Sequence, residues 1–322
     1  MIGFSNIQTF KKFRLGGGSF LYFATALIFG LFLSAEEKQS VYNYDAGPQA
    51  QCKLSVASFR LWIPPEADSK VNGVLVVTPG RNKDGRSFVQ QEKFRELASK
   101  WGFAIMGNYL KGTAEDKDTY QLDFKGNTAG LLVNALEKFA EISKRDELKT
   151  APLFLFGLSA GGNVSVQFPG FYPERTIGVA AFVPTAGPGI NASKKLNIPM
   201  LVCIGARDRK DWVRFSDIVW GKYGSKSVWT YAKHKELGHE GRQAFDFGFV
   251  YIDAVLKKRL VPDGEKGFKN TLSKLEAAWE GNLNSYDVQK AASAVLAKDT
   301  CWLPDEVTAI AWRKYLNTSF RK

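Results

Sequence analysis

Ala151-Pro-Leu-Phe-Leu-Phe-Gly-Leu-Ser-Ala-Gly-Gly162 decides the fold: a short apolar run that stops abruptly in small residues around one serine. Pro152 to Phe156 is nearly continuous apolar sequence, too short for a helix of its own, and reads as a buried strand of a parallel sheet. It ends in Gly157-Leu158-Ser159-Ala160-Gly161, a G-x-S-x-G pattern. A strand turning sharply into a helix forces its central residue into strained backbone geometry, and flanking positions without side chains let the chain close. Such a turn lifts the Ser159 hydroxyl above the sheet. Gly161 to Phe168 can begin the helix that the motif requires. A dinucleotide fingerprint would need glycine where Ser159 stands, and a phosphate-binding loop would need lysine where Asn163 stands. The bland alternative is a glycine turn with no chemistry.

Outward from this stretch, strands and helices alternate. Upstream, Leu54, Val56 and Phe59 to Trp62 alternate as edge or antiparallel strands do, and Val74 to Val77 is a buried run ending at Pro79-Gly80-Arg81-Asn82. Phe88 to Trp101 reads as a helix with Phe94, Leu97 and Trp101 on one face, Phe103 to Met106 as the next strand, and Ala129 to Ile142 as a second helix. Downstream come three more apolar runs, Ile177 to Val183, Met200 to Ile204 and Val228 to Tyr231, and helical sequence from Gln243 to Leu260. This order implies an α/β fold, a mostly parallel central sheet with helices on both faces. After Val261 the pattern changes to short amphipathic segments, Leu272 to Trp279 and Ser285 to Ala297, which predict a C-terminal helical extension over 261–322 packed on the main domain, 36–260.

Composition is that of a globular protein: 322 residues, 45% hydrophobic and 24% charged. The net charge of +12 is scattered in short basic pairs, which read as solvated surface, and no nucleic-acid motif accompanies them. The first 35 residues look like a signal peptide: Lys11, Lys12 and Arg14, then apolar Phe20 to Leu33, then Ser34-Ala35 before Glu36. Export follows, periplasmic or extracellular, with cleavage after Ala35 and no membrane span afterwards; an uncleaved N-terminal anchor is the alternative. Cys203 sits in an apolar run as a core residue, whereas Cys52 and Cys301 lie near opposite ends of the mature chain, and export permits them to pair as a disulfide. Dispersed cysteines and two histidines without metal-ligand spacing point to no metal, and no cofactor motif is present.

A serine hydroxyl needs a base to take its proton as it attacks, and histidine is the usual one. His239, in the loop Leu237-Gly-His-Glu240, is the candidate; His234, hemmed by lysines near a strand end, suits a structural role. The base needs a carboxylate, and Asp208 in Gly205-Ala-Arg-Asp208 falls just past a strand, with Asp211 the near alternative. Their basic neighbours Arg207, Arg209 and Lys210 offer either acid a plain surface pairing instead. An oxyanion hole would take the Ala160 amide and, from the loop after Val74 to Thr78, that of Arg81 or, failing it, Asn82.

With these residues in view the chain resembles the α/β-hydrolases from about Val41 to Leu260, in the chain order serine, acid, histidine. Within them it is similar to exported esterases grouped with polyhydroxybutyrate depolymerases and feruloyl and acetylxylan esterases, and more loosely to dienelactone hydrolases. Gly157 to Gly161 matches the elbow, Gly205 to Asp208 the acid turn and Gly238-His239 the histidine loop, whereas Pro79-Gly80 stands where many relatives have His-Gly. The resemblance implies a carboxylic ester hydrolase with Ser159, Asp208 and His239 as its triad. Pro184 to Pro199 is too short for a lid domain, so bulky or polymeric esters linked to polysaccharide or polyester are the expected substrates. A secreted serine peptidase and a non-catalytic binding protein on the same scaffold are the other readings.

Overall fold

The computed structural model describes residues 40–65, 70–122, 125–185, 197–262, 268–272, 279–292, 296–297 and 299–320. Residues 1–35, which the sequence reading takes as a signal peptide, and most of the short connection Pro184 to Pro199, residues 186–196, lie outside them. The described residues cohere as one compact unit.

The elements run β1 (Val41–Asp45), β2 (Leu54–Trp62), β3 (Gly73–Thr78), α1 (Glu92–Trp101), β4 (Phe103–Gly112), α2 (Asn127–Ser143), β5 (Leu153–Leu158), α3 (Ala160–Gln167), β6 (Thr176–Phe182), β7 (Met200–Gly205), α4 (Lys210–Tyr223), β8 (Trp229–His234) and α5 (Phe245–Arg259). Eight strands make one sheet in the order β1-β2-β4-β3-β5-β6-β7-β8. β1 pairs with β2 and β2 with β4 antiparallel, and every pairing from β4 through β8 is parallel. The chain leaves β3 toward β4 and then reverses across β3 to reach β5, so right-handed crossovers put α1 and α2 on opposite faces. α5 returns to the α1 face, where Lys93 pairs with Asp246 at 2.6 Å and Lys100 with Asp253 at 2.6 Å.

Because both faces are covered, the central strands are mostly apolar, and β3, β6 and β7 are buried at every residue. Phe156 of β5 centres an aromatic cluster, with ring centroids 5.0 Å from Phe94, 4.7 Å from Phe182 and 4.8 Å from Phe245. Those aromatics lock α1 and α5 against the strand that leads to Ser159. The stretch from Phe88 to Trp101 is two pieces: a 3₁₀ turn over Arg86–Gln90, then α1, which ends at Gly102 in left-handed geometry (φ 63°).

Two sequence expectations are corrected. Among the described residues the C-terminal extension is largely strand: β9 (Leu260–Pro262) pairs with β10 (Phe268–Leu272), and a three-stranded antiparallel sheet joins β11 (Trp279–Asn282), β12 (Val288–Lys290) and β13 (Thr300–Leu303) in the order β12-β11-β13, whereas residues 273–278 of the expected helix Leu272 to Trp279 lie outside the described residues. Only α6 (Glu306–Asn317) is a helix among the described residues there. Pairing with β13, distant in sequence, supplies Trp279–Asn282 with hydrogen bonds that its local pattern does not announce. The extension packs on the main sheet: Trp312 Nε1 donates to Tyr231 O at 2.9 Å, and Thr230 Oγ1 donates to Trp302 O.

The expected Cys52–Cys301 disulfide is absent; all three cysteines are buried and none is in a disulfide. Cys52 precedes β2 at one edge of the sheet, and Cys301 lies in β13 against β8 at the other. Six strand spacings separate β2 from β8, about 29 Å at roughly 4.8 Å each, far beyond the ~7 Å Cα separation that a disulfide tolerates. No helix of the described residues is long and apolar enough to cross a membrane.

Candidate active site

Parallel β5, β7 and β8 present their carboxyl ends on the same edge of the sheet, and each leads into a turn bearing one candidate residue. Ser159 sits between β5 and α3 with φ 54° and ψ −115°, a conformation that L-residues avoid. The turn closes so tightly that a Cβ on Gly157 would collide with Gly161 O, and one on Gly161 with Thr78 O. The Ser159 amide donates to Phe182 O at 2.8 Å and the Gly161 amide to Pro79 O at 3.0 Å, fastening the elbow to the ends of β6 and β3. Val183, just past β6, also takes a positive φ of 47°, a second strained position beside the elbow for which the sequence carries no signal.

The structure brings Ser159, His239 and Asp208 together. His239 Nδ1 lies 2.6 Å from Asp208 Oδ2, and His239 Nε2 lies 2.8 Å from Ser159 Oγ. An ionised carboxylate only accepts, so Nδ1–H donates to Asp208 and Nε2 accepts from the Ser159 hydroxyl. The Asp208 side chain is 9% exposed and that of His239 37%, so the acid is shielded while the imidazole edge meets solvent. Asp208 Oδ1 also accepts from the Arg209 amide at 2.8 Å.

Asp211 is not brought to the histidine. Its carboxylate takes the Arg209 guanidinium at 2.8 and 3.2 Å, and that hydrogen bond holds its pKa below the usual carboxylate value. The pairing also draws Arg209 away from Asp208. Arg209 lies 4.3 Å from the Trp212 ring centre, and Trp212 in turn is 5.2 Å from the His239 ring. Trp212 is thus a wall of the site that the sequence marks only as a tryptophan near a loop end. Trp62, at the end of β2, is core, with Arg95 4.8 Å from its ring.

The loop after β3 reaches the elbow, a Cβ built on Gly80 falling 3.8 Å from Ser159 Cβ. Ala160 opens α3, so its amide is one of the helix-start N–H groups without an intrahelical acceptor. The Asn82 amide donates to Tyr120 Oη at 3.1 Å, and burial raises the Tyr120 pKa, keeping the phenol protonated. Among the described residues no backbone hydrogen bond engages the Arg81 amide. The Arg81 side chain turns to Asp118, 3.0 Å away.

His234 lies elsewhere. It is fully buried, donates from Nε2 to Thr318 O at 2.9 Å and accepts at Nδ1 from the Glu236 amide at 3.2 Å, a satisfied structural histidine. Among the described residues no group of three or more His, Cys, Asp or Glu side chains is gathered as a metal site.

No family model matches the chain, and no curated protein matches it in sequence. Among solved structures it is similar to an S-formylglutathione hydrolase from Agrobacterium tumefaciens, at 15% identity and a TM-score of 0.46, covering 67% of this chain and 93% of that one. It is similar also to a fluorophosphonate-binding serine hydrolase, F, of Staphylococcus aureus, at 10% identity and a TM-score of 0.48, covering 66% and 98%. A dienelactone hydrolase from Anabaena variabilis matches at 16% identity and a TM-score of 0.45, covering 68% and 98%. A parallel sheet in this strand order, a serine on a strained strand-to-helix turn, and an acid and a histidine on later strand ends in that chain order make this an α/β-hydrolase fold.

Proposed function

We propose that the chain is an exported serine esterase that cleaves carboxylic esters through an acyl-enzyme. The observation that carries this reading is the double hydrogen bond of His239, to Ser159 Oγ and to Asp208, at a strained elbow. In this reading His239 Nε2 takes the Ser159 proton as Oγ attacks the ester carbonyl, while Asp208 holds the tautomer and stabilises the imidazolium. The amides of Ala160 and Arg81 receive the oxyanion. His239 then returns the proton to the departing alcohol, and water activated by the same imidazole frees the acid and restores Ser159. Export rests on Lys11, Lys12 and Arg14 followed by apolar Phe20 to Leu33.

Bulky or polymeric esters are the proposed substrates, as for the polyester and polysaccharide esterases that the motifs resemble. The exposed edge of His239 supports this, since a base open to solvent can meet an ester on a large molecule.

Rapid mixing with nitrophenyl acetate tests the chemistry. A burst of nitrophenol equal to the enzyme concentration is expected, lost in Ser159→Ala and His239→Ala; folded wild-type protein giving neither burst nor turnover overturns the reading. Acetyl or feruloyl release from acylated polysaccharide, or monomer release from polyester, tests the substrate class. Activity confined to small soluble esters contradicts it, and turnover of peptides instead favours the peptidase alternative.

A further inference from the structure

The last described residues of the chain are tied to the loop that carries His239. β8 ends at His234, and the chain then runs through Lys235, Glu236, Leu237 and Gly238 to the candidate base. His234 donates to Thr318 O at 2.9 Å and accepts from the Glu236 amide at 3.2 Å, and its ring packs 5.2 Å from Tyr315 and 5.0 Å from Phe320. Glu236 holds the tail a second time: its Oε2 accepts from Ser319 Oγ at 3.1 Å and from the Phe320 amide at 3.1 Å. The same loop meets the Asp208 turn, because the Ala206 amide donates to His234 O and the Arg207 amide to Leu237 O, each at 2.9 Å.

From this geometry we infer that the C-terminal segment Thr318 to Phe320 is a strut that positions His239 against Ser159, acting through His234 and Glu236. The inference rests on the reading of His239 as the base. Glu236 is a positioning residue in it, since its Oε2 accepts from both the tail's hydroxyl and its amide. The His239 side chain is more than a third exposed, so packing alone fixes it weakly and the loop backbone must do much of the work. Catalytic groups need to be held within about 0.5 Å, and a misplacement of about 1 Å can cost roughly a hundredfold in rate. A strut outside the α/β-hydrolase core that grips His234 and Glu236, on either side of Lys235, meets that need. It also gives the C-terminal extension a task beyond covering the β8 edge.

The test uses the full chain, a chain ending at Asn317, and the variants Glu236→Ala and Glu236→Gln. Turnover of nitrophenyl acetate, the rate of fluorophosphonate labelling and thermal unfolding are measured for each. Truncation and Glu236→Ala are expected to lower kcat by about tenfold to a hundredfold with KM within about twofold, and to slow labelling in parallel. Glu236→Gln, which keeps an acceptor oxygen for Ser319 and Phe320, is expected to recover most of the rate. If the truncated chain does not fold, Glu236→Ala decides. A folded Glu236→Ala protein with wild-type kcat, or a loss no larger than its unfolded fraction, overturns the strut alone. Wild-type protein inert to both ester and probe overturns the esterase reading and the strut with it.

Discussion

At the residue scale, Asp208 and Asp211 stand three positions apart and do different things because of what each carboxylate meets. Asp208 is shielded and faces an imidazole; Asp211 is exposed and faces a guanidinium. Asp208→Asn therefore removes the acceptor that fixes the His239 tautomer and should lower kcat by about 10³- to 10⁴-fold, with circular dichroism unchanged. Asp211→Asn breaks an exposed ion pair worth at most about 1 kcal/mol and should leave kcat within about twofold. Equal losses in the two variants, read on one ester substrate, would reverse the assignment. The sequence placed both acids past the right strand but had no means of choosing between them, because the choice depends on where Arg209 goes. The same holds for Arg81 and Asn82, which the Tyr120 hydroxyl distinguishes from a segment 38 residues further along the chain.

At the element scale, legibility followed burial. β3, β5, β6 and β7 were readable because a strand covered on both faces must be mostly apolar. α4 was not singled out, since among its residues Phe215 and Ile218 are exposed while only Ser216 and Val219 are buried, which blurs the helical period. Val288–Lys290, inside the stretch Ser285 to Ala297 read as helix, is strand because it folds back on β11, a pairing that its amphipathic pattern does not announce. α6 by contrast is announced locally: Asp305 caps it, accepting from the Thr308 amide at 2.8 Å and from Thr308 Oγ1 at 2.7 Å. Asp305→Ala should cost about 1 kcal/mol of stability, measured by urea unfolding. No change would mean that water replaces the cap without loss.

At the scale of the whole molecule, the sheet separates what the sequence suggested was joined. Cys52 and Cys301 lie at opposite edges, so neither can serve as the other's partner without dismantling the fold. Burial pushes the Cys301 thiol up to about 12 and raises that of Cys203 well above its usual value, so neither forms appreciable thiolate at pH 8. Iodoacetamide at that pH should leave native protein unmodified and add three groups in denaturant, with no reductant needed. Mass spectrometry reads the count, and an oxidised pair in denaturant would restore the disulfide. The sheet also explains why Ser159, Asp208 and His239, spread over 81 positions, could be named from sequence: parallel strands end on one edge, so each post-strand turn is a candidate. What sequence could not supply was the surroundings, Trp212 beside the imidazole and the tail holding Glu236, since neither follows from a strand end. The measurement that tests the central claim most directly is intact-mass and peptide mapping after treatment with a fluorophosphonate. An activated serine predicts one adduct per chain, on Ser159, absent from Ser159→Ala and strongly slowed in His239→Ala. Folded protein that gains no adduct, or gains it at another residue, would contradict the account.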